Sequence, residues 1–279
     1  MHTNVIHLLL MPFLSAQVAS LTCCYVGVYV VLRRIVFVSA ALAQLGAAGV
    51  GLGLLLNINP VVTCYAFILL GMLLVPIVQR ERRVSRESIL GAMYAVSASL
   101  AMIFVAKSPA EQHLMESILF GELLYSTGDM VLRLSIIAGI VLSTHMLLFK
   151  PILLSSFDPE FATTLGIRVK LFDLIFYTTL AVLIGECIRC VGALLTFAYL
   201  VIPPLTALLL TSRLKVAFVT SIAFGFIANI IGLIISFKYD LPSSPTVAVC
   251  TLLPLILVAP IALGISLSSS CIKFKWNAR

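Results

Sequence analysis

The 279-residue sequence is 61% hydrophobic and only 10% charged, against about 25% charged in an ordinary soluble domain, so water is not its main solvent. Its net charge of +7 does not by itself indicate nucleic acid, because in so apolar a chain the placement of the basic residues carries the information. The seven cysteines are an odd number, mostly scattered singly, which is no disulfide framework.

A helix needs roughly 20 apolar residues at about 1.5 Å rise each to cross a hydrocarbon core of about 30 Å. Uncharged apolar runs of that kind lie at about 5–32, 36–58, 61–79, 87–106, 130–149, 171–188, 191–210, 215–237 and 246–268. The first lacks a basic leader and is too long for the apolar part of a signal peptide, so it is expected to span. The sixth and seventh runs meet at Cys187-Ile188-Arg189-Cys190 with almost no loop. The expectation is therefore an all-α polytopic membrane protein of eight or nine transmembrane helices, in one domain covering 1–279.

Of the 18 Lys and Arg, all but Lys107, Arg133, Arg189 and Lys238 fall in linkers on one side of a nine-span reading. The positive-inside rule makes that side cytoplasmic, which puts the C-terminus inside and the N-terminus outside.

The second run carries Val38-Ser39-Ala40-Ala41-Leu42-Ala43-Gln44-Leu45-Gly46-Ala47-Ala48-Gly49, a density of small residues that allows close helix approach. Gln44 stands about 12 Å into that span at helical rise. It either bonds a neighbouring helix or lines a path. The linker from Lys107 to Asp129 contains Ser117-Ile118-Leu119-Phe120-Gly121-Glu122, too short and polar to span alone and readable as a partial or re-entrant helix. In it, Glu122 and His113 are either solvated surface groups or ligands for a cation.

The segment 156–168 contains Asp158-Pro159-Glu160-Phe161-Ala162, with an N-cap signal, and closes on a helix-stopping Gly166. It either docks against a partner or lies on the membrane interface. Pro203 and Pro204 stand inside an apolar run and are expected to bend or break it. Asp240-Leu241-Pro242-Ser243-Ser244-Pro245 reads as a rigid turn. No Gly-rich Lys-Ser/Thr phosphate loop, His-Glu-x-x-His or Gly-x-Ser-x-Gly is present, so the chain has no evident means of hydrolysing ATP or performing zinc or acyl chemistry. Of its acids, Glu186 is the most nearly embedded, whereas a proton-coupled carrier would bury several.

Arg33-Arg34, the small-residue run, Asn59-Pro60, Glu87 through Gly91, Phe120 through Leu124, Asp158 through Gly166, Gly192 through Ala207, and Ser236 with Asp240, Pro242 and Pro245 occur in this order. Together they resemble the permease subunits of metal-type ABC importers, the zinc, manganese and iron family called ABC-3. That resemblance implies an inner-membrane transport subunit rather than an enzyme, acting as a homodimer or as a heterodimer with a sister permease. It implies a cytoplasmic ATP-binding-cassette ATPase seated on Asp158, Glu160, Ala162 and Gly166, and an extracytoplasmic binding protein that delivers the ion. ATP would then be bound by the separate ATPase chain, with no permanent cofactor and no nucleic acid involved. The path residues it points to are Ala40, Gln44, Glu122, Pro203, Pro204 and Asp240.

The departures bear on cargo. Relatives commonly carry Asp-x-x-x-His in the second span, where this sequence has Ala40 and Gln44; Ala95 stands where a His is frequent, and Ser244 replaces an outer Gly. Glu186, Cys187 and Cys190 offer a Cys-x-x-Cys with an acid that can bind a soft cation; the alternatives are a disulfide or packing. Two further functions stay open: the same architecture carrying a metal complex or small organic solute, and a stand-alone secondary carrier that needs no ATPase.

Overall fold

The computed structural model describes residues 2–80, 86–108, 123 and 126–260. Its longer helices are α1 (His2–Leu32), α2 (Val36–Leu55), α3 (Pro60–Arg80), α4 (Arg86–Lys107) and α5 (Gly128–Leu147). Two short helices follow, α6 (Phe149–Phe157) and α7 (Pro159–Thr164), and then α8 (Val169–Val191), α9 (Ala193–Leu210), α10 (Leu214–Tyr239) and α11 (Ser243–Cys250), the last continuing in helical conformation to Pro260. No strand occurs among the described residues, as expected where backbone groups must bond internally in hydrocarbon. Eight helices are long and apolar enough to cross a membrane, and α3 adds a shorter apolar stretch over Pro60–Val75. Every run identified in the sequence is therefore helical over its described residues, and the chain is a polytopic helical membrane protein.

The count turns on one residue. Gly192 has φ 85° and ψ 163°, a conformation open to glycine almost alone. It ends α8 and starts α9, so the meeting point of the sixth and seventh runs is a break between two helices.

The helices sort into an inner and an outer set. The apolar windows of α1 and α2 are 72% buried, while those of α4 and α5 are 22% buried, so the first pair forms the centre and the second faces outward. α1 packs on α9 and α10, and α2 on α3 and α4. Small residues make these approaches possible: a side chain at Gly27 would strike the Leu200 carbonyl of α9 and come within 2.6 Å of Pro204 Cγ. Pro204 has no N–H to give to Leu200, the residue four before it. Gly27 thus brings α1 against the Leu200 carbonyl, one of the two in α9, with that of Tyr199, whose helical partner a proline removes. α9 nevertheless runs unbroken from Ala193 to Leu210, so of the bend or break expected from the two prolines, the break does not occur. A proline in a membrane helix is tolerated when a neighbouring helix covers the freed carbonyl.

Four helix ends close with the same device. Arg34, Asn57, Gly166 and Asp240 have φ between 52° and 78°, and in each case the following N–H bonds a carbonyl five residues back: Ile35 to Val30, Ile58 to Gly53, Ile167 to Ala162 and Leu241 to Ser236. This left-handed cap satisfies carbonyls that the helix leaves orphaned.

Candidate functional site

The segment singled out at 156–168 folds as expected. The Asp158 side chain accepts a hydrogen bond from the Phe161 backbone N–H at 2.9 Å, Pro159 occupies the first helical turn, and Gly166 closes the helix at φ 78°. Ala162 is buried, while Glu160 and Gly166 are exposed and the space a side chain at Gly166 would occupy is open. Phe157, Phe161 and Leu165 are 63%, 52% and 58% exposed. A capped helix of one and a half turns thus presents aromatic and aliphatic side chains with no covering partner among the described residues, an exposed apolar face of the kind that meets a partner or a membrane surface.

At the base of this segment stands Arg33, the last residue before the left-handed cap of α1. Its Nε donates to Ser156 Oγ at 2.7 Å, Nη2 to Ser155 Oγ at 3.1 Å and Nη1 to Asp173 Oδ1 at 2.6 Å. Its guanidinium carbon lies 4.2 Å from the centroid of the Phe176 ring, and the side chain is 7% exposed. Ser155 and Ser156 both donate to the Ile152 carbonyl, which leaves their lone pairs to accept from the arginine. Phe176 in turn packs on Tyr29 and His145, at ring-centroid separations of 6.2 and 5.8 Å.

A second polar cluster lies between α3 and α8. Glu186 is 2% exposed; its carboxylate accepts from Arg189 Nη1 at 3.1–3.2 Å and from the Tyr65 hydroxyl at 2.9 Å. Cys187 Sγ faces Cys23 Sγ of α1 at 3.6 Å, and Cys190 Sγ is directed at the Met130 carbonyl of α5. The acid and the two thiols therefore point to three different helices. Both cysteines are free thiols, and among the described residues no group of three or more His, Cys, Asp and Glu stands close enough to hold a metal ion. One helix cannot aim side chains at positions i, i+1 and i+4 into a single point when each has a nearer partner elsewhere.

The remaining path candidates among the described residues stand on three helices, α2, α9 and the end of α10. Ala40 is buried in α2. The buried side-chain oxygen of Gln44 has no hydrogen-bond partner among the described residues. Gly46 faces Ile188 of α8, so Gln44, two residues or about 200° away, lies on the opposite side of α2 from Ile188. Pro203 and Pro204 are buried in α9, and Asp240 is exposed at the cap of α10. Glu122 lies outside the described residues. The reading of the sequence missed the knot in which Tyr199 donates to Asn229 Oδ1 while Asn229 Nδ2 donates to the Ala16 carbonyl and Gln17 Oε1, at 3.1 and 3.2 Å. A lone Asn in an apolar run was its signal.

Among the described residues, eight helices of membrane-crossing length and the shorter apolar α3 pack with a short exposed helix beyond the charged end. The chain matches the ABC 3 transport family over residues 6–262 and belongs to it. It is 28% identical over 236 residues to the manganese import system permease protein ScaB of Streptococcus parasanguinis, covering 84% of each chain. It is also 28% identical over 218 residues to the manganese transport system membrane protein MntC of Listeria monocytogenes, covering 78% of each. Its fold matches PsaBC from Streptococcus pneumoniae, solved in complex with Fab, with a TM-score of 0.81 at 21% identity, over 92% of this chain and 95% of the other.

Proposed function

We propose that this chain is the permease subunit of an ATP-driven importer for manganese, with the α7 segment as the seat of a separate ATPase. The observation that carries the reading is the capped helix with Phe161 and Leu165 exposed beyond the basic end of the bundle. Arg33, Ser155, Ser156 and Asp173 meet at that end, and Lys215 shares a small cavity with Phe149 there. Lys238 lies at the other end beside Leu10 and Pro12. The positive-inside rule supports a cytoplasmic placement for the α7 end and for the C-terminus of the chain. Manganese is supported by the names of the relatives, which share most of their length with this chain; zinc and iron have no such support.

Ala40 and Gln44 favour a second reading of the cargo, a metal complex or small organic solute, because neither supplies the carboxylate and imidazole that hold a bare divalent ion. Both readings are tested by reconstituting the permease with its ATPase and extracytoplasmic binding protein in vesicles and following radioactive manganese. ATP-dependent accumulation that unlabelled manganese competes away supports the first. ATP hydrolysis without accumulation of manganese, zinc or iron favours the second, and accumulation without ATP would indicate a secondary carrier.

A further inference from the structure

We propose that Arg33 is the tie that makes the α7 segment and the membrane helices move as one body. The tie itself rests on geometry alone, and its role in transport rests on the reading that an ATPase acts on α7. The chain leaves the bundle at the end of α6 and re-enters it at the start of α8. Arg33 grips both sides of that excursion, Ser155 and Ser156 in the last turn of α6 and Asp173 in the second turn of α8. The grip comes from a third element, the end of α1, which packs on α9 and α10 at the centre of the molecule.

The neighbouring residue shows what is unusual about it. An arginine at the end of a membrane helix ordinarily extends to the polar interface, and Arg34 is exposed. Arg33 instead turns inward, to 7% exposure. Burying a guanidinium is costly unless its donors are met, and here three nitrogens each find a different oxygen while the plane stacks on Phe176. This use of the planar fork is beyond lysine, whose ammonium has no flat face and no fixed spread of donors. Phe176, Tyr29 and His145 carry the contact on into α8, α1 and α5. A push on Phe161 or Leu165 is therefore passed through the short turns that flank α7 to the two helices Arg33 holds, and so to α1. With the tie cut, the segment is held to the bundle by the two ends of its own chain and its lighter packing, and it can swing while the spans stay still.

The test uses the Ser155→Ala/Ser156→Ala double variant, which removes the grip on α6 and keeps the Arg33 to Asp173 ion pair, beside Arg33→Lys. The first readout is hydrogen exchange on the permease alone, which needs neither ATPase nor cargo. Amides 154–158 are expected to exchange about tenfold faster in the double variant, the scale of losing a charge-assisted hydrogen bond, with those of α9 unchanged. Unchanged exchange at 154–158 overturns the tie. The second readout, in the reconstituted complex, is ion accumulated per ATP hydrolysed. The tie predicts that hydrolysis persists while this ratio falls by about tenfold in both variants; a ratio that keeps its wild-type value overturns the coupling role. If the wild-type complex moves no ion, the proposed function fails, and the exchange result still decides the tie.

Discussion

Arg33 and Arg34 are identical in type and adjacent in sequence, yet one is folded into a web of oxygens and the other is exposed. What separates them is the way the chain leaves α1: the Arg33 N–H still bonds the Tyr29 carbonyl in helical fashion, whereas Arg34 takes the left-handed cap conformation, which sends their side chains in different directions. The Glu186–Arg189 pair obeys similar rules deeper in the protein. Its side chains are 3% and 16% exposed, so breaking it strands a charge. Glu186→Gln is expected to lower stability by about 3–5 kcal/mol, and the Glu186→Gln/Arg189→Gln double variant by less than that single change. Thermal unfolding in detergent checks both. Ser244 is the opposite case, a buried hydroxyl without a partner among the described residues. Ser244→Ala is expected to leave the melting temperature unchanged or raise it, since no hydrogen bond is lost and a desolvation cost is removed.

Among the helices, the contact of α1 with α9 depends on the least chemistry, a missing side chain at Gly27 and a missing N–H at Pro204. Gly27→Ala would drive a methyl into the Leu200 carbonyl and Pro204, and neither backbone nor proline ring can yield. The expected cost is about 1–3 kcal/mol or more, read as a lower melting temperature and a weaker yield of folded protein. Gly166→Ala should behave differently. The site is open around the added atom, so only the left-handed backbone is strained, by about 1–2 kcal/mol, and the bundle should unfold at its usual temperature while the end of α7 frays. Exchange at Gly166 and Ile167, compared with exchange in α9, distinguishes local from global loss. The helix positions were legible in the sequence because uninterrupted apolar length is a direct requirement of the bilayer. The effect of Pro203 and Pro204 was not, because the compensation comes from Gly27, 177 positions before Pro204.

For the molecule as a whole, the exposed faces divide by what covers them. Those of α4 and α5 are broad and apolar, as membrane lipid requires, whereas Phe161 and Leu165 lie on a polar, capped helix beyond the basic end. On the proposed function, replacing both with Glu should leave the fold and its detergent melting profile intact and abolish co-purification with the ATPase, because nothing among the described residues packs on them. Retained co-purification would place the ATPase elsewhere.

The sequence alone determined where the long helices lie, leaving their number at eight or nine, together with the segregation of charge between two sides and the capped 156–168 segment. Each of these follows from local composition: the length an apolar run must have, the side on which cations are retained, and the residues that start and stop a helix. It also carried the ordered motifs by which the family is recognised. Only the tertiary structure decided that Glu186 binds Arg189 and Tyr65 instead of joining Cys187 and Cys190 around a common point, that Cys187 meets Cys23, and that Arg33 joins α1, α6 and α8. These pairings lie from three to 164 positions apart along the chain. Apart from Glu186 and Arg189, neighbours one turn apart on α8, nothing in local pattern encodes them, since which polar group finds which is settled by the packing of small-residue helix faces that brings distant segments into contact.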